Sequence, residues 1–481
     1  MDSEIPDAPT RLASGFPAAN RDEWRALVAK TLKGAGAESL DRPTPDGLIA
    51  HALYTALDLP EAPSPRPARG AANWDIRVLI SETEPADANG ALVDALAGGA
   101  TSALIALAGP GRRGVDLGGP GDFARLMRGV LMDIAPIALD ARACGRIAAG
   151  WLDGAAKASP TAPLAFHLDP LTAFAQSGQS AGPVDGHLAE AAVLGARLAQ
   201  TYPRASLTLA SGVLAHEAGA TPAWEIAVAA ASALSQAKAL NAAGLSLDDA
   251  WGRIVLGLCV EAQPFPSITK LRAARLVWAR LTGACGAAVP ARIEARSSER
   301  MLTRAEPWTN LIRLTCAAFA GAVGGADAVV LSPHDAALGG EPDPLAARLI
   351  RNAQIILMEE GRIGQVGDPA GGAFALEAQS LDLARAAWSR FSQIEAQGGI
   401  VAALSSGAIA AACAAGREAL TSNLASKASR LLGVTDFAPA DTAPPGPGGG
   451  FEAESFIDPA VPGRDGRCPP LVPIRLEDLA R

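Results

Sequence analysis

The amino-acid sequence predicts an α/β protein in which short apolar strands alternate with longer helices along most of the chain. From Trp74 onward there are about eight such alternations, the number that a closed parallel barrel requires. The strand candidates are near-continuous apolar runs, which indicates strands that are buried on both faces. The chain has 481 residues, of which 49% are hydrophobic, enough for such a barrel with extensions. A doubly wound open sheet fits the same alternation nearly as well.

The candidate strands and helices follow one another in a regular order. The strands are predicted at residues 76–80, 102–108, 134–140, 164–168, 207–211, 255–260, 291–295 and 328–331. Alanine-rich helical segments lie between them, for example at residues 188–201, 224–240 and 308–323. Aromatic residues make up only 4% of the chain, so we expect the helices to pack closely on the sheet.

The first 70 residues are predicted to form a helical arm and a stiff linker. Asp22 and Glu23 place two acidic side chains in the first turn of a helix, which closes near Lys33 and Gly34. The segment 60–70 is rich in proline and therefore extended. An arm joined in this way is expected to pack on another subunit or on the outside of the main domain.

The C-terminal part of the chain divides into a helical segment and a tail. Residues 396–416 form an uncharged run, but they are mostly alanine, glycine and serine, whereas a membrane span needs about 20 predominantly apolar residues. We therefore predict two packed helices there, broken near Gly398-Gly399 and near residues 405–407, and no membrane association. Residues 436–481 are predicted to be a proline- and glycine-rich tail.

Charge and cysteine content exclude several classes of function. The formal net charge is −9, and no basic stripe is present that could release counterions from nucleic acid. The N-terminus is acidic and has no apolar core of a signal peptide. The six cysteines have no C-x-x-C spacing, so we expect buried, reduced thiols in a cytoplasmic protein and neither a zinc nor a redox motif.

Several motifs appear in a fixed order in the second half of the chain. Residues 270–278 have the sequence K-L-R-A-A-R-L-V-W, residues 307–313 have P-W-T-N-L-I-R, and residues 366–372 have V-G-D-P-A-G-G. Earlier, residues 211–220 have S-G-V-L-A-H-E-A-G-A. From about residue 16 to about residue 435, the sequence resembles the methylmalonyl-CoA mutase family. The corresponding family motifs include K-[LM]-R-A-A-R-x-L-W and D-P-x-x-N-x-x-R.

This resemblance decides the fold in favour of a (β/α)8 TIM barrel. It implies an N-terminal helical arm and linker for subunit contacts (residues 1–70), the barrel with trailing helices (71–435) and the C-terminal tail (436–481). Catalytic members of the family rearrange the skeleton of an acyl-CoA by radical chemistry. Adenosylcobalamin supplies that chemistry, while the protein binds, orients and shields the substrate.

The chain departs from the family at the catalytic positions. Catalytic members have the motif S-G-Y-H-x-x-E-A-G-A, and its Tyr and His are replaced in this chain by Val213 and Leu214. These aliphatic side chains can neither transfer a proton nor hold a carbonyl. Further on, the family motif H-x-Q is replaced by Glu294 and Arg296, which share one face of a strand and are expected to form a structural ion pair. A glutamate there would repel the carboxylate of a methylmalonyl group. The resemblance therefore implies no catalytic, cofactor-binding or metal-binding residue in this chain.

The cobalamin-binding motif D-x-H-x-x-G is incomplete. Its only partial match is Asp185-Gly186-His187, which lacks the final glycine and is expected to be an N-cap aspartate followed by a surface histidine. Small subunits of the family usually carry a degenerate cobalamin-like domain after the barrel, and the chain is expected to lack it.

Three further candidates have ordinary structural interpretations. His216 follows Leu214 by two residues and need not point into the barrel, and His334 follows the last strand, where barrels place active sites. Residues 109–114 match G-x-G-x-x-G after a strand, but Pro110 and Pro120 oppose the helix that a dinucleotide needs there. We expect a glycine-rich connection.

These observations predict the non-catalytic small subunit of a heterodimeric methylmalonyl-CoA mutase, an isomerase that interconverts methylmalonyl-CoA and succinyl-CoA. Adenosylcobalamin is expected on the catalytic large subunit, and the interior of this barrel is expected to be plugged by larger apolar side chains. Two other hypotheses stay open: an active acyl-CoA mutase core with a separate cobalamin-binding chain, and a stand-alone acyl-CoA-binding or scaffold protein.

Overall fold

The centre of the protein is a closed barrel of eight parallel strands. The computed structural model describes residues 20–59, 69, 73–109, 112–439 and 466–480. We number the barrel strands β1 (Asp75–Ile80), β2 (Ser102–Ala106), β3 (Ile137–Asp140), β4 (Ala165–Leu168), β5 (Ser206–Ser211), β6 (Ile254–Val260), β7 (Ile293–Ser297) and β8 (Ala328–Leu331). Each strand pairs with its neighbours in sequence, and β8 closes the ring on β1. The predicted (β/α)8 barrel is confirmed, and the open-sheet alternative is wrong.

The helices surround the barrel in the alternating order that the sequence predicts. They are α1 (Arg21–Thr31), α2 (Pro85–Ala97), α3 (Pro120–Leu126), α4 (Gly145–Ala156), α5 (Pro170–Ser177), α6 (Val184–Thr201), α7 (Val213–Glu217), α8 (Pro222–Ala242), α9 (Leu247–Gly252), α10 (Pro264–Ala284), α11 (Asn310–Val323), α12 (Pro344–Ile355), α13 (Phe374–Ala396), α14 (Ile400–Ser405), α15 (Ala408–Ala425) and α16 (Leu476–Leu479). The predicted breaks before α14 and α15 are confirmed, and both fall at glycines with positive φ, Gly399 and Gly407. None of the helices in the described ranges combines the length and apolar character that a bilayer crossing needs.

Small residues let the helices lie close on the strands, as the alanine-rich composition predicts. A Cβ added to Gly321 of α11 would lie 3.0 Å from a methyl carbon of Val329 in β8. A Cβ on Gly195 of α6 would lie 3.4 Å from Leu207 in β5. At such distances even one methyl group forces neighbouring atoms to move, so these glycines set the spacing between helix and sheet.

The N-terminal arm touches the barrel at a few points. Helix α1 begins with a capping box, in which the Asn20 side chain accepts from the Glu23 backbone amide and Glu23 returns a bond to Asn20. None of the residues of α1 is buried, and Leu27 is 63% exposed. Farther along the arm, the Asp46 carboxylate accepts from the backbone amide of Ala223, in the first turn of α8. The arm is thus anchored to the barrel while its apolar helix face stays open.

Residues 466–480, which we call the C-terminal strap, cross the carboxyl ends of the barrel strands. The strap begins by pairing antiparallel with Gln179–Ser180, after α5. Its backbone then donates hydrogen bonds from Ile474 to the Glu217 carbonyl, after β5, and from Leu476 to the Arg300 carbonyl, after β7. This return of the tail to the barrel was not predictable from the sequence, because its prolines obscure any periodicity.

Candidate functional site

The interior of the barrel contains a network of charged side chains instead of the predicted apolar plug. We call Arg77, Asp140, Glu294 and Arg296 the interior network. Glu294 on β7 accepts from the guanidinium of Arg77 on β1 at 2.5 Å and from that of Arg296 at 2.7 Å. The predicted Glu294–Arg296 ion pair therefore exists, but it is one part of a larger assembly. An apolar layer accompanies it on the inner strand faces, formed by Leu79, Leu104, Ala138, Ala165 and Val330.

One ion pair of this network crosses the barrel. Arg296 on β7 donates to the carboxylate of Asp140 on β3 at 2.5 Å. Strands β7 and β3 are four positions apart in a closed ring of eight, so they face each other across the barrel axis. Both side chains are at least 90% buried. This side-chain bridge therefore spans the inside of the barrel between opposite strands.

Asp140 is held by three guanidinium groups. Besides Arg296, Arg112 lies 2.7 Å and Arg142 3.0 Å from its carboxylate oxygens. Burial alone would raise the pKa of Asp140, but the three cations outweigh it and hold the pKa well below its usual range. Burial likewise raises the pKa of Glu294, but the charges of Arg296, His167 and Arg77 outweigh this effect and lower the pKa to about 2. The interior carboxylates therefore stay ionised and paired at any physiological pH.

His167 completes the interior in a strained conformation. It lies in β4, where the register with β5 shifts, and its φ of +46° is in the left-handed region that costs a residue with a Cβ about 1 kcal/mol. Its Nδ1 lies 3.0 Å from the Leu139 carbonyl, and its Nε2 lies 4.0 Å from Glu294. Burial lowers the pKa of His167 to about 4, so the ring is neutral at pH 7 and Nδ1–H donates to the carbonyl.

Val213 and Leu214, at the positions of the family's Tyr and His, lie at the mouth of the barrel. They begin helix α7 directly after β5, and both are buried. Gly212 precedes them because no other residue fits: a Cβ there would lie 2.3 Å from the carbonyl oxygen of Glu225. The backbone frame of the motif is kept, while the two side chains that follow it are aliphatic.

A second group of buried charges lies beneath the strap. We call His216, Glu217, Glu225, Glu261, Lys270 and Arg300 the mouth network. Glu225 accepts from Lys270 Nζ at 2.6 Å and from the backbone amide of Cys259 at 2.6 Å. His216 is fully buried, with Nδ1 3.0 Å from Glu225 and Nε2 2.9 Å from the Ser298 hydroxyl. His216 is thus part of the packed mouth, which its position in the sequence left undecided.

Within the mouth network, Glu217 has an unusual environment. Its carboxylate accepts from the backbone amides of Glu299 and Arg300, each at 2.9 Å. Burial, together with the charge of Glu299, raises the pKa of Glu217 to about 7, and Arg300 offsets only part of this. For Glu225 and Glu261, burial is outweighed by the cations of Lys270 or Arg300, and the pKa of each falls to about 2.

Three members of this region could in principle share a metal ion. Ligand atoms of His216, Glu225 and Cys259 lie within 4.8 Å of one another. However, the Lys270 ammonium already occupies an oxygen of Glu225, and burial raises the pKa of the Cys259 thiol well above its usual range. A thiol that keeps its proton and a carboxylate that holds an ammonium are poor metal ligands. The donor set fits a proton-sharing network better than a metal centre.

The remaining candidates from the sequence lie in structural positions. The ring of His334 stacks on Trp308, with the ring centroids 4.7 Å apart. After Gly114, at the end of the glycine-rich segment 109–114, the next helix begins only at Pro120, and residues 110 and 111 lie outside the described residues. No helix N-terminus within the described part of this connection is therefore placed directly after the glycines, as a dinucleotide would require.

The incomplete cobalamin motif lies on the outer layer of helices. Asp185 was predicted to be the N-cap of α6. The structure instead places Pro183 at that position, and the helix begins at Val184. His187 is half-buried, and its Nε2 lies 2.8 Å from the carbonyl oxygen of Ala181. The N-cap prediction is wrong because the extended segment ends at Pro183, two residues earlier than expected.

The chain is similar to known proteins over most of its length. A family model described as methylmalonyl-CoA mutase matches residues 152–447. The methylmalonyl-CoA mutase small subunit of Streptomyces virginiae is 34% identical over 92% of this chain and 76% of that protein. The probable small subunit of Mycobacterium tuberculosis is 34% identical, over 87% of this chain and 71% of its own length.

The small subunit of Propionibacterium freudenreichii subsp. shermanii is 30% identical over 89% of this chain and 70% of that protein. The methylmalonyl-CoA mutase of Cereibacter sphaeroides is 28% identical over 80% of this chain and 60% of that protein. Together with the closed barrel and its retained motifs, these similarities establish the relationship. The chain belongs to the methylmalonyl-CoA mutase family.

Proposed function

We propose that this chain is the non-catalytic small subunit of an adenosylcobalamin-dependent methylmalonyl-CoA mutase, a cytoplasmic complex. The observation that carries the proposal is the Arg296–Asp140 ion pair across the barrel axis, at 2.5 Å. A catalytic barrel of this family must admit an acyl-CoA to its interior. Here the interior is filled by paired charges, and breaking a buried pair to admit a substrate would cost about 3–5 kcal/mol.

The side chains at the family's catalytic positions support the same conclusion. Val213 and Leu214 carry no group that exchanges a proton or donates a hydrogen bond to a carbonyl. Glu294 keeps a negative charge, since its pKa is about 2, and would repel the carboxylate of a methylmalonyl group. Arg296 cannot replace a neutral donor for that carboxylate because it is already bound to Glu294 and Asp140.

The cofactor, on this proposal, binds to the partner subunit. Adenosylcobalamin would have to approach the carboxyl ends of the strands, where this chain places its strap, and strap and barrel are joined by main-chain hydrogen bonds to Glu217 and Arg300. The incomplete motif at Asp185–His187 offers no alternative, because the histidine already contacts the carbonyl of Ala181 and lies on the outer helical layer. The described residues thus do not fit the cofactor.

The N-terminal arm is the part that we assign to the partner interface. Helix α1 has no buried residue, and its Leu27 and the nearby Leu57 are 63% and 83% exposed. Two strongly exposed leucines on one anchored segment are consistent with a contact surface. Permanent interfaces between subunits commonly bury about 2,000 Å² or more and are apolar. A large mutase subunit covering this arm would satisfy both requirements.

Binding and co-purification test the proposal. The isolated chain should bind neither adenosylcobalamin nor a CoA ester, and the untagged chain should purify from its native cell in equal amount with a larger mutase subunit. Leu27→Asp together with Leu57→Asp should prevent that association. Leu131→Asp, which changes an exposed leucine in the loop before β3, serves as the matched control.

The two other hypotheses predict different outcomes. Turnover by this chain with only a cobalamin-binding protein would establish an active mutase core. A homodimer without a larger subunit would support a stand-alone scaffold. Either result, or tight binding of a CoA ester by the isolated chain, would overturn the proposed role.

A further inference from the structure

The C-terminal strap lies on the barrel with a repeat of three residues. Side chains at this spacing are buried or half-buried: Cys468, Leu471, Ile474 and Glu477. The four residues that separate the first three of them are all exposed: Pro469, Pro470, Val472 and Pro473. Three residues per turn is the period of a polyproline II helix, whereas a strand repeats every two residues and an α-helix every 3.6.

The backbone of the strap follows the same repeat. Every third N–H group donates to a carbonyl oxygen of the underlying surface at 2.8–2.9 Å: Cys468 to Gly178, Leu471 to Ala175 and Ile474 to Glu217. The prolines between these donors have no N–H group to satisfy, and each fixes its φ near the value that polyproline II requires. The residue before a proline is also restricted to extended conformations. The strap sequence therefore prepares the conformation in which it docks.

The surface beneath the strap leaves room for its prolines. A Cβ added to Gly178, which ends α5 with a φ of +74°, would lie 3.0 Å from the Cys468 carbonyl oxygen and 3.2 Å from Pro470. A Cβ added to Gly407, just before α15, would lie 3.2 Å from Pro469. We call the surface formed by the ends of α5 and α7, the residues after β7 and Gly407 the mouth groove. Two of its positions are open because they carry no side chain.

The mouth groove ends in a site for a carboxylate. Glu477 of the strap is fully buried, and its carboxylate accepts from the backbone amide of Arg304 at 2.7 Å and from the guanidinium Nε of the same residue at 3.3 Å. The Arg304 side chain is itself buried. A charge-assisted contact at one end of an apolar repeat fixes both the direction and the register of the docked segment.

We propose that the mouth groove is a recognition site for a proline-rich segment in polyproline II conformation, and that the strap is its releasable ligand. The segment carries an apolar side chain at every third position and a glutamate three residues after the last of them. Such ligands bind well because their preformed conformation loses little entropy on docking. The occupant is the chain's own strap, and its release uncovers the mouth network. The site stands whether or not the chain is a mutase subunit.

Amide hydrogen exchange of the intact chain tests release of the strap. The amides that the strap donates, including that of Leu476, should share one opening equilibrium and exchange faster than amides in the middle of β5 and β7, because the strap leaves as a unit while the barrel stays folded. Glu477→Ala should speed this exchange about tenfold, since a buried amide loses its acceptor. The matched control, Asp478→Ala, removes a half-exposed partner of Arg304 and should speed exchange about threefold or less.

Two outcomes of the exchange experiment contradict the proposal. If the strap amides exchange only together with those of β5 and β7, the strap is an integral part of the fold and not a ligand. If Glu477→Ala and Asp478→Ala have equal effects, the buried carboxylate is not the anchor.

A synthetic peptide tests recognition by the groove. The receptor is the full chain with Leu471→Asp and Glu477→Ala, which weaken its own strap. A fluorescently labelled peptide of residues 466–480 should bind this receptor saturably, as measured by anisotropy. It should bind the parent chain about tenfold more weakly or worse, because the attached strap competes at high effective concentration.

Changes in the peptide test the repeat and the conformation. Leu471→Ala should weaken binding to the receptor about tenfold or more, because the leucine is buried. Val472→Ala, at a position that is 60% exposed, is the matched control and should bind as the parent peptide does. Replacing the three prolines with alanine should weaken binding about tenfold, because a flexible segment must be ordered on docking.

The outcomes of the peptide experiment separate recognition from nonspecific binding. A thermal melt shows whether the receptor is folded, and if it is not, the exchange experiment on the intact chain decides. A folded receptor that does not bind the peptide would overturn the proposal. Equal binding by receptor and parent would place the peptide elsewhere. Equal binding of the alanine peptide would show that the groove does not recognise the polyproline II conformation.

Discussion

The interior network and the mouth network bury the same kinds of side chain but balance their charges differently. In the interior, Glu294 and Asp140 are surrounded by four guanidinium groups, those of Arg77, Arg112, Arg142 and Arg296. In the mouth, Glu217, Glu225 and Glu261, with Glu299 close to Glu217, face the cations of Lys270 and Arg300, and burial lowers the pKa of His216. The interior carboxylates are therefore fixed in the ionised state, whereas in the mouth the carboxylates outnumber the cations of Lys and Arg.

The excess of negative charge in the mouth network is reflected in the raised pKa of Glu217. The pKa of Glu294 in the balanced interior is about 2, and that of Glu217 in the mouth is about 7. Burial acts on both residues in the same direction, so the difference arises from the cations available to each. A buried network can thus serve as a rigid plug or as a pH-sensitive cover, depending on whether its cations match its carboxylates.

The largest expected effect comes from breaking the balance in the interior. Arg296→Ala leaves Glu294 and Asp140 buried with fewer partners and should lower the free energy of unfolding by about 3–5 kcal/mol. Urea denaturation of the variant and of the parent chain measures the difference. The matched control is Arg385→Ala, which breaks an exposed pair with Asp382 and should cost about 0–1 kcal/mol. Similar losses in both variants would mean that the interior network contributes no more than a surface ion pair.

A second expected effect comes from the proton on Glu217. Because its pKa rises from 4.5 to about 7 on folding, the contribution of this proton is complete below pH 4.5 and is lost as the pH rises through 7. The loss amounts to about 3 kcal/mol, and Glu217→Gln, which has no titratable group and keeps one of the two backbone hydrogen bonds through its side-chain oxygen, should abolish this pH dependence. The measurement is the stability difference between variant and parent across pH 4.5–8.

The control for this prediction is Glu418→Gln, an exposed glutamate on α15. Its stability difference from the parent should stay flat over the same range. A flat difference for Glu217→Gln as well would show that a group outside the mouth network balances the charge of Glu217.

A smaller effect is expected where the strap contacts the barrel. The carboxylate of Glu477 is fully buried and accepts from the backbone amide of Arg304 at 2.7 Å. Glu477→Ala should lower the free energy of unfolding by about 1–3 kcal/mol, because the buried amide loses its acceptor. The guanidinium of Arg304 is paired with both Glu477 and Asp478. Asp478 is half-exposed, so Asp478→Ala should lower the free energy of unfolding by only about 0–1 kcal/mol. If the order of the two losses is reversed, the strap is held mainly by its surface pair.

The sequence predicts the barrel well and the two networks only in part. All eight strands were predicted within about three residues, because a strand buried on both faces leaves a continuous apolar run. The Glu294–Arg296 pair was predictable from a spacing of two along one strand. Asp140 as their partner was not, because β3 and β7 come together only through closure of the ring.

The position of the strap and the burial of His216 also could not be predicted, because both depend on contacts between residues far apart in the chain. Hydrogen bonds from Ile474 and Leu476 to the barrel join residues more than 170 positions apart in the chain. The local sequence carries no periodic signal for such contacts. The motif around Gly212 predicted the position of the mouth but not that it is covered.

The interior network and the residues at the mouth of the barrel are expected to act separately on substrate binding. Restoring the family's residues with Val213→Tyr and Leu214→His returns a proton-transfer pair to the mouth, yet the chain should show no mutase turnover, because the Arg296–Asp140 pair still closes the interior. Adding Glu294→His and Arg296→Gln removes the charges of β7 that close it. CoA-ester binding should then appear first in the variant with all four changes. Binding by the double variant alone would mean that the mouth, and not the interior, excludes the substrate.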